Sequence, residues 1–272
     1  MAELNSAAPG VSVITVVRNG ARTIEASVES ALAQTHRPLE HLVVDGGSTD
    51  GTVAILRRHG ERIRWISEPD RGLYDAMNKG LSLVLDPARY VIFLNADDAF
   101  HAPDAVARAL ALSDREDLLY GRLERFDEEL GDRDVIGRPV TSRDLLFGMK
   151  CHHQTILCRR RVFDRIGAFR LDYRIAADYD WVVRAFQTPD LSRRFVPVVL
   201  TTMRRGGFSE RGYLAGIRER RRIVRAAYSR TDAIRFMAYS VFGDYARWGL
   251  QRVLRPLGLI PWVRRLRRSA GS

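Results

Sequence analysis

The sequence has little cysteine, little lysine and no long apolar run. Two cysteines, Cys151 and Cys158, in 272 residues exclude a disulfide-built scaffold, and the simpler reading of the pair is two reduced thiols. The longest charge-free apolar stretches, such as residues 236–243, run only eight residues. A membrane span needs about twenty. Residues 1–9 show neither a basic n-region nor an apolar h-region, so no secretory signal is read there and a cytoplasmic protein is expected. There is no G-x-x-x-x-G-K-S/T loop, no G-x-G-x-x-G turn and no G-x-S-x-G elbow. P-loop ATPases, Rossmann dehydrogenases and serine hydrolases of the α/β class are therefore poorly supported. What remains is an ordinary globular mixture, 46% hydrophobic and 28% charged, which excludes disorder as the main state.

The charge is unevenly spread. The chain carries a formal +11, but residues 201–272 hold 17 arginines and four acids, a net +13, which leaves −2 for the first 200 residues. A near-neutral body with a basic end suits a local anionic partner such as a membrane surface, and argues against a body that coats nucleic acid. Lysine occurs only at Lys79 and Lys150.

Along the first 200 residues, strand and helix signals alternate. Residues 11–17 (VSVITVV) form a β-branched run bounded by Gly10 and Asn19-Gly20. Residues 39–44, 63–66 and 90–94 repeat the signal, with amphipathic helical stretches between them. This alternation predicts βαβ units and an α/β fold with a mainly parallel sheet. The continuous apolar run YVIFL at 90–94 marks a buried central strand. Further strands are expected near 118–126, 154–158 and 195–203, the last interrupted by Pro197 and so read as an edge. Helices are expected at 103–112 and 176–186. The sequence divides into a catalytic body, residues 1–205, and an Arg-rich helical extension, residues 206–272.

Ligands of open parallel sheets bind outside the carboxyl ends of the strands. Here the four strand ends deliver Arg18, Asn19 and Gly20; Asp45, Gly46, Gly47 and Ser48; Glu68, Asp70 and Arg71; and Asn95, Asp97 and Asp98. Any one group alone reads as a turn or a helix cap, but four on one rim point to a site. Adjacent carboxylates at the end of a buried strand repel each other and are costly to desolvate. A hard divalent cation, Mg²⁺ or Mn²⁺, relieves both costs and leaves coordination places for phosphate oxygens. A third acidic cluster, Asp178-Tyr179-Asp180-Trp181, opens a helix; Asp178 there is either stabilised by the helix N-terminus or held as a general base. His152 and His153 lack zinc-ligand spacing with the cysteines, and His153 is read as a hydrogen-bonding site histidine.

Six segments then match something known: VSVITVVRNG (11–20), HLVVDGGSTDGT (41–52), SEPDRGLYDAMNKG (67–80), VIFLNADD (91–98), HHQTILCRRRVFDRIGAFR (152–170) and AADYDWVVR (176–184). In this order and spacing, residues 11–200 resemble glycosyltransferase family 2, with the third segment similar to transferases that assemble bacterial polysaccharides or glycolipids. The resemblance implies the Rossmann-like glycosyltransferase-A fold and inverting transfer from a nucleotide sugar to a lipid-linked or oligosaccharide acceptor, UDP being the family's commonest carrier. It implies that the backbone around Thr15–Val17, with Arg18 and Asn19, flanks the base, and that Asp45 accepts a hydrogen bond from it beside Gly47. Asp70, Arg71, Asn78 and Lys79 of the third segment, Asn95 and His153 complete the donor pocket. Asp97 then lies near the ribose or sugar, Asp98 is the ligand of the Mg²⁺ or Mn²⁺ cofactor, and Asp178 is the catalytic base. Two positions depart from the family's pattern: Gly46 stands where a second Asp is common, and Ala177 where Glu is common.

In the extension, one helix is expected over 211–230 and a second capped by Thr231-Asp232. Residues 259–268 place Leu259, Trp262, Val263 and Leu266 on one arc with the arginines elsewhere, an interfacial pattern that suits peripheral binding to the cytoplasmic face of an anionic membrane. A helix packed on the body is the competing reading. A nucleotidyltransferase and a catalytically silent nucleotide-sugar binder remain alternatives. A nucleic-acid-binding protein is a more remote one, suggested only by the basic end.

Overall fold

A computed structural model describes residues 8–127, 131–204 and 213–240. The first half is the expected parallel unit. It comprises β1 (Val11–Val17), α1 (Ile24–Leu32), β2 (Leu39–Asp45), α2 (Thr52–Arg58), β3 (Arg64–Ser67), α3 (Leu73–Ser82) and β4 (Tyr90–Asn95). β1 pairs in parallel with β2 and β4, and β2 with β3. All seven residues of β1 are buried. That requires cover on both faces, which explains why the run is mostly apolar rather than alternating, with Ser12 and Thr15 buried as well. Ile14 and Val16 pack into one core with Met77, Phe93 and Trp181. Val11 and Val13 turn to the opposite core with Ile92 and Leu94.

The second half contains β5 (Asp98–Phe100), α4 (Ala105–Ala111), β6 (Leu118–Asp127), β7 (Asp132–Ile136), α5 (Ser142–Leu145), β8 (Ile156–Arg159), α6 (Arg160–Ile166), α7 (Ala177–Gln187) and β9 (Arg193–Arg204). The described strands form one sheet in the order β3-β2-β1-β4-β8-β6-β9-β5, with β7 beside β6. β8 runs antiparallel to β4 and β6, so the parallel rule holds for the first half and gives way to a mixed sheet in the second.

Three expectations need correction. The segment 154–158 is split, because His153–Thr155 form a 3₁₀ turn and the strand starts only at Ile156. β9 is not an edge: it pairs with β6 on one side and β5 on the other. The register slips where Phe195 and Val199 oppose Tyr120 and Arg122, and this bulge spans Pro197, so its missing N–H breaks no regular ladder. The extension's first helix ends earlier than read: α8, described over Tyr213–Ala227, stops before 230, and α9 (Arg230–Tyr239) is capped by Ser229, whose hydroxyl accepts from Asp232 N–H at 3.1 Å.

Both helices pack on the body. Ile223, Val224 and Phe236 are buried in the same core as Trp181. The Tyr228 hydroxyl donates to Ser142 O at 2.7 Å, and Gln187 donates to Ala227 O at 2.9 Å. The amphipathic segment 259–268 lies outside the described residues. Among those described, no helix is long and apolar enough to cross a membrane.

Candidate active site

The carboxyl ends of β1, β2 and β4 converge on one rim, and the turns there are tied to one another. Asn19 takes a left-handed conformation, φ 53°. Its N–H donates to Ser48 Oγ at 2.7 Å and its side-chain oxygen accepts from Thr49 N–H at 2.8 Å. Asn19 thus zips the β1–α1 turn to the β2–α2 turn. Arg18 next to it is exposed at the rim.

Asp45 is fully buried. Its oxygens accept from Ser48 N–H (3.0 Å), the Ser48 hydroxyl and the Ser67 hydroxyl (2.6 Å). A carboxylate with no exposed surface and three donors organises the rim from beneath. Thr15 likewise points inward, its hydroxyl 2.8 Å from His41 Nε2 at zero exposure, and Val17 is buried with its carbonyl accepting from Gly46 N–H. Asp70 takes the outer position. A Cβ built on Gly46 would stand 2.0 Å from Asp70 Oδ2, so the absent side chain at 46 is what admits this carboxylate. Gly47 adopts φ +78°, a conformation glycine tolerates without strain.

The 67–80 segment serves mainly to hold that loop. Lys79 Nζ donates to Pro69 O (2.8 Å) and pairs with Glu68 (2.7 Å). Arg71 pairs with Asp75 at 3.0 Å. Asn78 is not brought to the rim. Its amide donates to Phe169 O (2.8 Å) and accepts from Phe169 N–H (3.0 Å), so both polar atoms stitch α3 to the 167–170 turn.

At the end of β4, Asp98 is 2% exposed and pairs in register with Met203 of β9. Its Oδ2 accepts from Asn95 Nδ2 and Gln154 Nε2, both at 3.3 Å, while its Oδ1 is buried without a hydrogen-bond partner. Burial, then the charge of Asp97, push the Asp98 carboxyl well above the usual carboxylate range, against the Asn95 and Gln154 hydrogen bonds. An orphaned buried oxygen on an acid reluctant to ionise suits a hard cation, which supplies both the missing partner and the compensating charge. Among the described residues, the group of three metal-capable side chains within 4.8 Å is Glu25, Glu29 and His59, away from this rim. A cation at Asp98 has a shell that phosphate oxygens of a donor can help to complete.

Asp178 stands across the site, second residue of α7, its side chain 17% exposed. Its Oδ2 faces His153 Nδ1 at 3.0 Å; its Oδ1 accepts from the Tyr74 hydroxyl (2.9 Å) and from Tyr179 N–H (2.8 Å). Burial alone raises the Asp178 carboxyl, but the His153 hydrogen bond and charge, with those from Tyr74 and Tyr179, outweigh it and leave the group below its ordinary value. His153 Nε2 lies 3.4 Å from Asn95 Nδ2. One chain of contacts thus runs Asp98–Asn95–His153–Asp178–Tyr74 across the rim.

Tyr74 and Gln154 were missed in reading the sequence as site residues. Tyr74 had one signal, a buried aromatic with a hydroxyl at the start of a helix. Gln154 had only its place next to His153. The cysteines are free and buried.

This geometry has relatives. The glycosyl transferase family 2 description matches residues 12–175, well over half of the chain. A PGL/p-HBAD biosynthesis glycosyltransferase of Mycobacterium bovis is 36% identical over 219 residues, covering 75% of this chain and 80% of that protein. Among solved structures, S. aureus TarS superposes with a TM-score of 0.63 at 17% identity over 85% of this chain, which spans 42% of TarS. Its 1–349 fragment, solved in complex with UDP, gives 0.66. The mannosyltransferase PcManGT from Pyrobaculum calidifontis, solved with GDP-Man and Mn²⁺, gives 0.56 at 20% identity, over 89% of this chain and 84% of that one. At such identities these structures speak for the fold, which is glycosyltransferase-A; the family match and the mycobacterial relative carry the rest, and the chain belongs to glycosyl transferase family 2, a glycosyltransferase.

Proposed function

We propose that the chain transfers a glycosyl group from a nucleotide sugar, a UDP-sugar first of all, to a hydroxyl of a lipid-linked or polysaccharide-precursor acceptor, with inversion. The observation that carries this reading is the pairing across one rim of Asp98, with its unpartnered buried oxygen, and Asp178, held by His153 and Tyr74. Relatives support it: the TarS fragment binds UDP, PcManGT binds GDP-Man with Mn²⁺, and the mycobacterial relative is named for PGL/p-HBAD biosynthesis.

In this reading the base rests against Arg18, the Gly47 turn and Asp70, which takes the outer place that the buried Asp45 leaves. Asp97 and Asn95 border the sugar and its diphosphate. A Mn²⁺ or Mg²⁺ ion held by Asp98, when bound, neutralises charge developing on the departing diphosphate. The acceptor oxygen attacks the anomeric carbon from the face opposite the diphosphate. The new carbon–oxygen bond forms as the bond to the diphosphate oxygen breaks, and the acceptor's proton passes to Asp178. His153 and Tyr74 keep that carboxylate ionised and aimed. No covalent enzyme intermediate is required.

The test is Asp178→Asn. It should keep UDP–Mn²⁺ affinity within twofold and lose at least about 10²-fold in turnover, the usual contribution of a positioned base. Turnover within a few-fold of wild type would remove Asp178 from that role. We also propose that the basic C-terminal segment holds the protein at the cytoplasmic face of an anionic membrane; α8 already presents exposed Arg218 and Arg225. Truncation after Pro256 should abolish binding to anionic liposomes while sparing transfer to a soluble acceptor. Equal liposome binding by both forms would sink the membrane role.

A further inference from the structure

Glu219 lies on α8, beyond the residues that the family description matches. Its carboxylate accepts three consecutive backbone N–H groups: Arg174 on Oε1 at 2.8 Å, and Ile175 and Ala176 on Oε2, each at 2.9 Å. These residues run directly into α7, whose N-cap, Ala176, has no side chain able to cap it. The segment leading into α7 is held instead from another helix.

The same turn is gripped elsewhere. The Tyr74 hydroxyl lies 2.8 Å from Ile175 O and 2.9 Å from Asp178 Oδ1, its single hydrogen shared between the two acceptors, so it links the carbonyl of Ile175, whose N–H Glu219 holds, to Asp178. Gly216, one turn before Glu219, lets α8 approach: a Cβ there would meet Ile175 Cγ2 at 3.2 Å. Arg222, one turn after, pairs with Asp172 at 3.2 Å and lies over the Tyr173 ring at 4.9 Å. Three successive turns of α8 thus clamp residues 172–176.

The consequence concerns Asp178. Ala176 is the N-cap of α7 and Arg174 and Ile175 precede it, so none of the three N–H groups has a partner in that helix. Asp178, in the first turn of α7, already gives Oδ1 to Tyr179 N–H. With Glu219 occupying the preceding donors, Oδ2 is left to face His153 and the acceptor hydroxyl. Without Glu219, the segment that leads into Asp178 loses its tie to α8, and the carboxylate is free to shift off His153.

We infer that Glu219 is a positioning residue for glycosyl transfer, which makes α8 part of the catalytic apparatus rather than an appendage. The inference rests on Asp178 being the base. Its test reads the ring nitrogens of His153 by ¹⁵N NMR in the full chain, with thermal unfolding as the check on folding. In Glu219→Gln and Glu219→Ala the amides of 174–176 should exchange at least tenfold faster. The His153 Nδ1 resonance should move toward its position in Asp178→Asn, where the carboxylate partner is lost. UDP–Mn²⁺ affinity should stay within twofold, because the nucleotide rim is built on other elements. Turnover should fall by about 10²-fold, as for a group misplaced by an ångström, with donor KM within twofold. Glu219→Gln, which retains one accepting oxygen, should keep more activity than Glu219→Ala. If the alanine variant does not fold, the isosteric glutamine variant decides alone. A His153 resonance at its wild-type position while the 174–176 amides lose protection would overturn the inference and leave Glu219 a structural cap. Wild-type turnover in Asp178→Asn would instead remove the base reading, whatever Glu219 does.

Discussion

Replacing Gly46 by alanine tests the proposal that Asp70 meets the nucleotide. The backbone at 46 is outside the left-handed region, so alanine brings no conformational strain. Its Cβ would stand 2.0 Å from Asp70 Oδ2, 3.0 Å from Asp70 Cγ and 3.5 Å from Arg18 Cβ. Only the contact with Asp70 is intolerable, and Asp70 is the end of a side chain on a loop, so the carboxylate swings out by an ångström or more. Its Oδ1 gives up the Gly72 N–H at 2.8 Å. That loss costs the fold about 1 kcal/mol. The larger effect falls on binding. If Asp70 hydrogen-bonds the nucleotide, its displacement removes a charge-assisted contact worth about 1.5–3 kcal/mol, roughly a 10- to 150-fold rise in Kd. Calorimetric titration of UDP with Mn²⁺ into wild type, Gly46→Ala, Asp70→Ala and the double variant measures this. With Asp70 already gone, adding the Gly46→Ala methyl should change Kd by less than twofold. Equal losses in both backgrounds would show that the methyl acts elsewhere, and the reasoning about Asp70 would fail.

Two further outcomes follow from buried groups. Asp98 is a desolvated acid beside Asp97 with an orphaned oxygen. Asp98→Asn should therefore raise the Tm of the metal-free protein in a thermal scan while abolishing Mn²⁺-dependent nucleotide binding; a lowered Tm would contradict the electrostatic reading. His41 is 2% exposed, and burial, then the charge of His59, depress its pKa from 6.5 to about 3. A depressed pKa contributes stability fully above pH 6.5 that is lost as pH falls toward 3, because the unfolded chain takes the proton first. Urea unfolding at pH 7.5 and 5.5 should show about 1.4 kcal/mol of this loss in wild type and its absence in His41→Gln. An unchanged pH dependence in that variant would refute it.

How far the sequence discloses this molecule depends on range. β1, β2 and β4 and the helices between them are legible because each strand is a short, mostly apolar run closed by turn residues, and burial leaves little alternation to confuse; the edge strand β3 is short and partly exposed. The second half is less so. β5 has three residues and β7 reads as a polar turn, so neither carries a periodic signal. Pro197 suggests an edge because a bulge cannot be read from one strand. Among site residues, Asp98, Asp178 and His153 come together as the motifs imply. Asp45 and Asn78 are engaged within the fold, where their carboxylate and amide find partners in Ser48, Ser67 and Phe169, and such saturation is invisible before folding. Glu219 had no local signal: its partners at 174–176 lie more than 40 residues away.

Thermal unfolding with UDP, with and without Mn²⁺, tests the central claim most directly, with GDP, dTDP and CDP as comparisons. At about 100 times its Kd a ligand adds roughly 2.7 kcal/mol, a shift of several degrees for a chain of this length. The account predicts a shift with UDP that requires Mn²⁺ and disappears in Asp98→Asn. A shift of the same size without metal, or no shift with any of the four nucleotides, would contradict it.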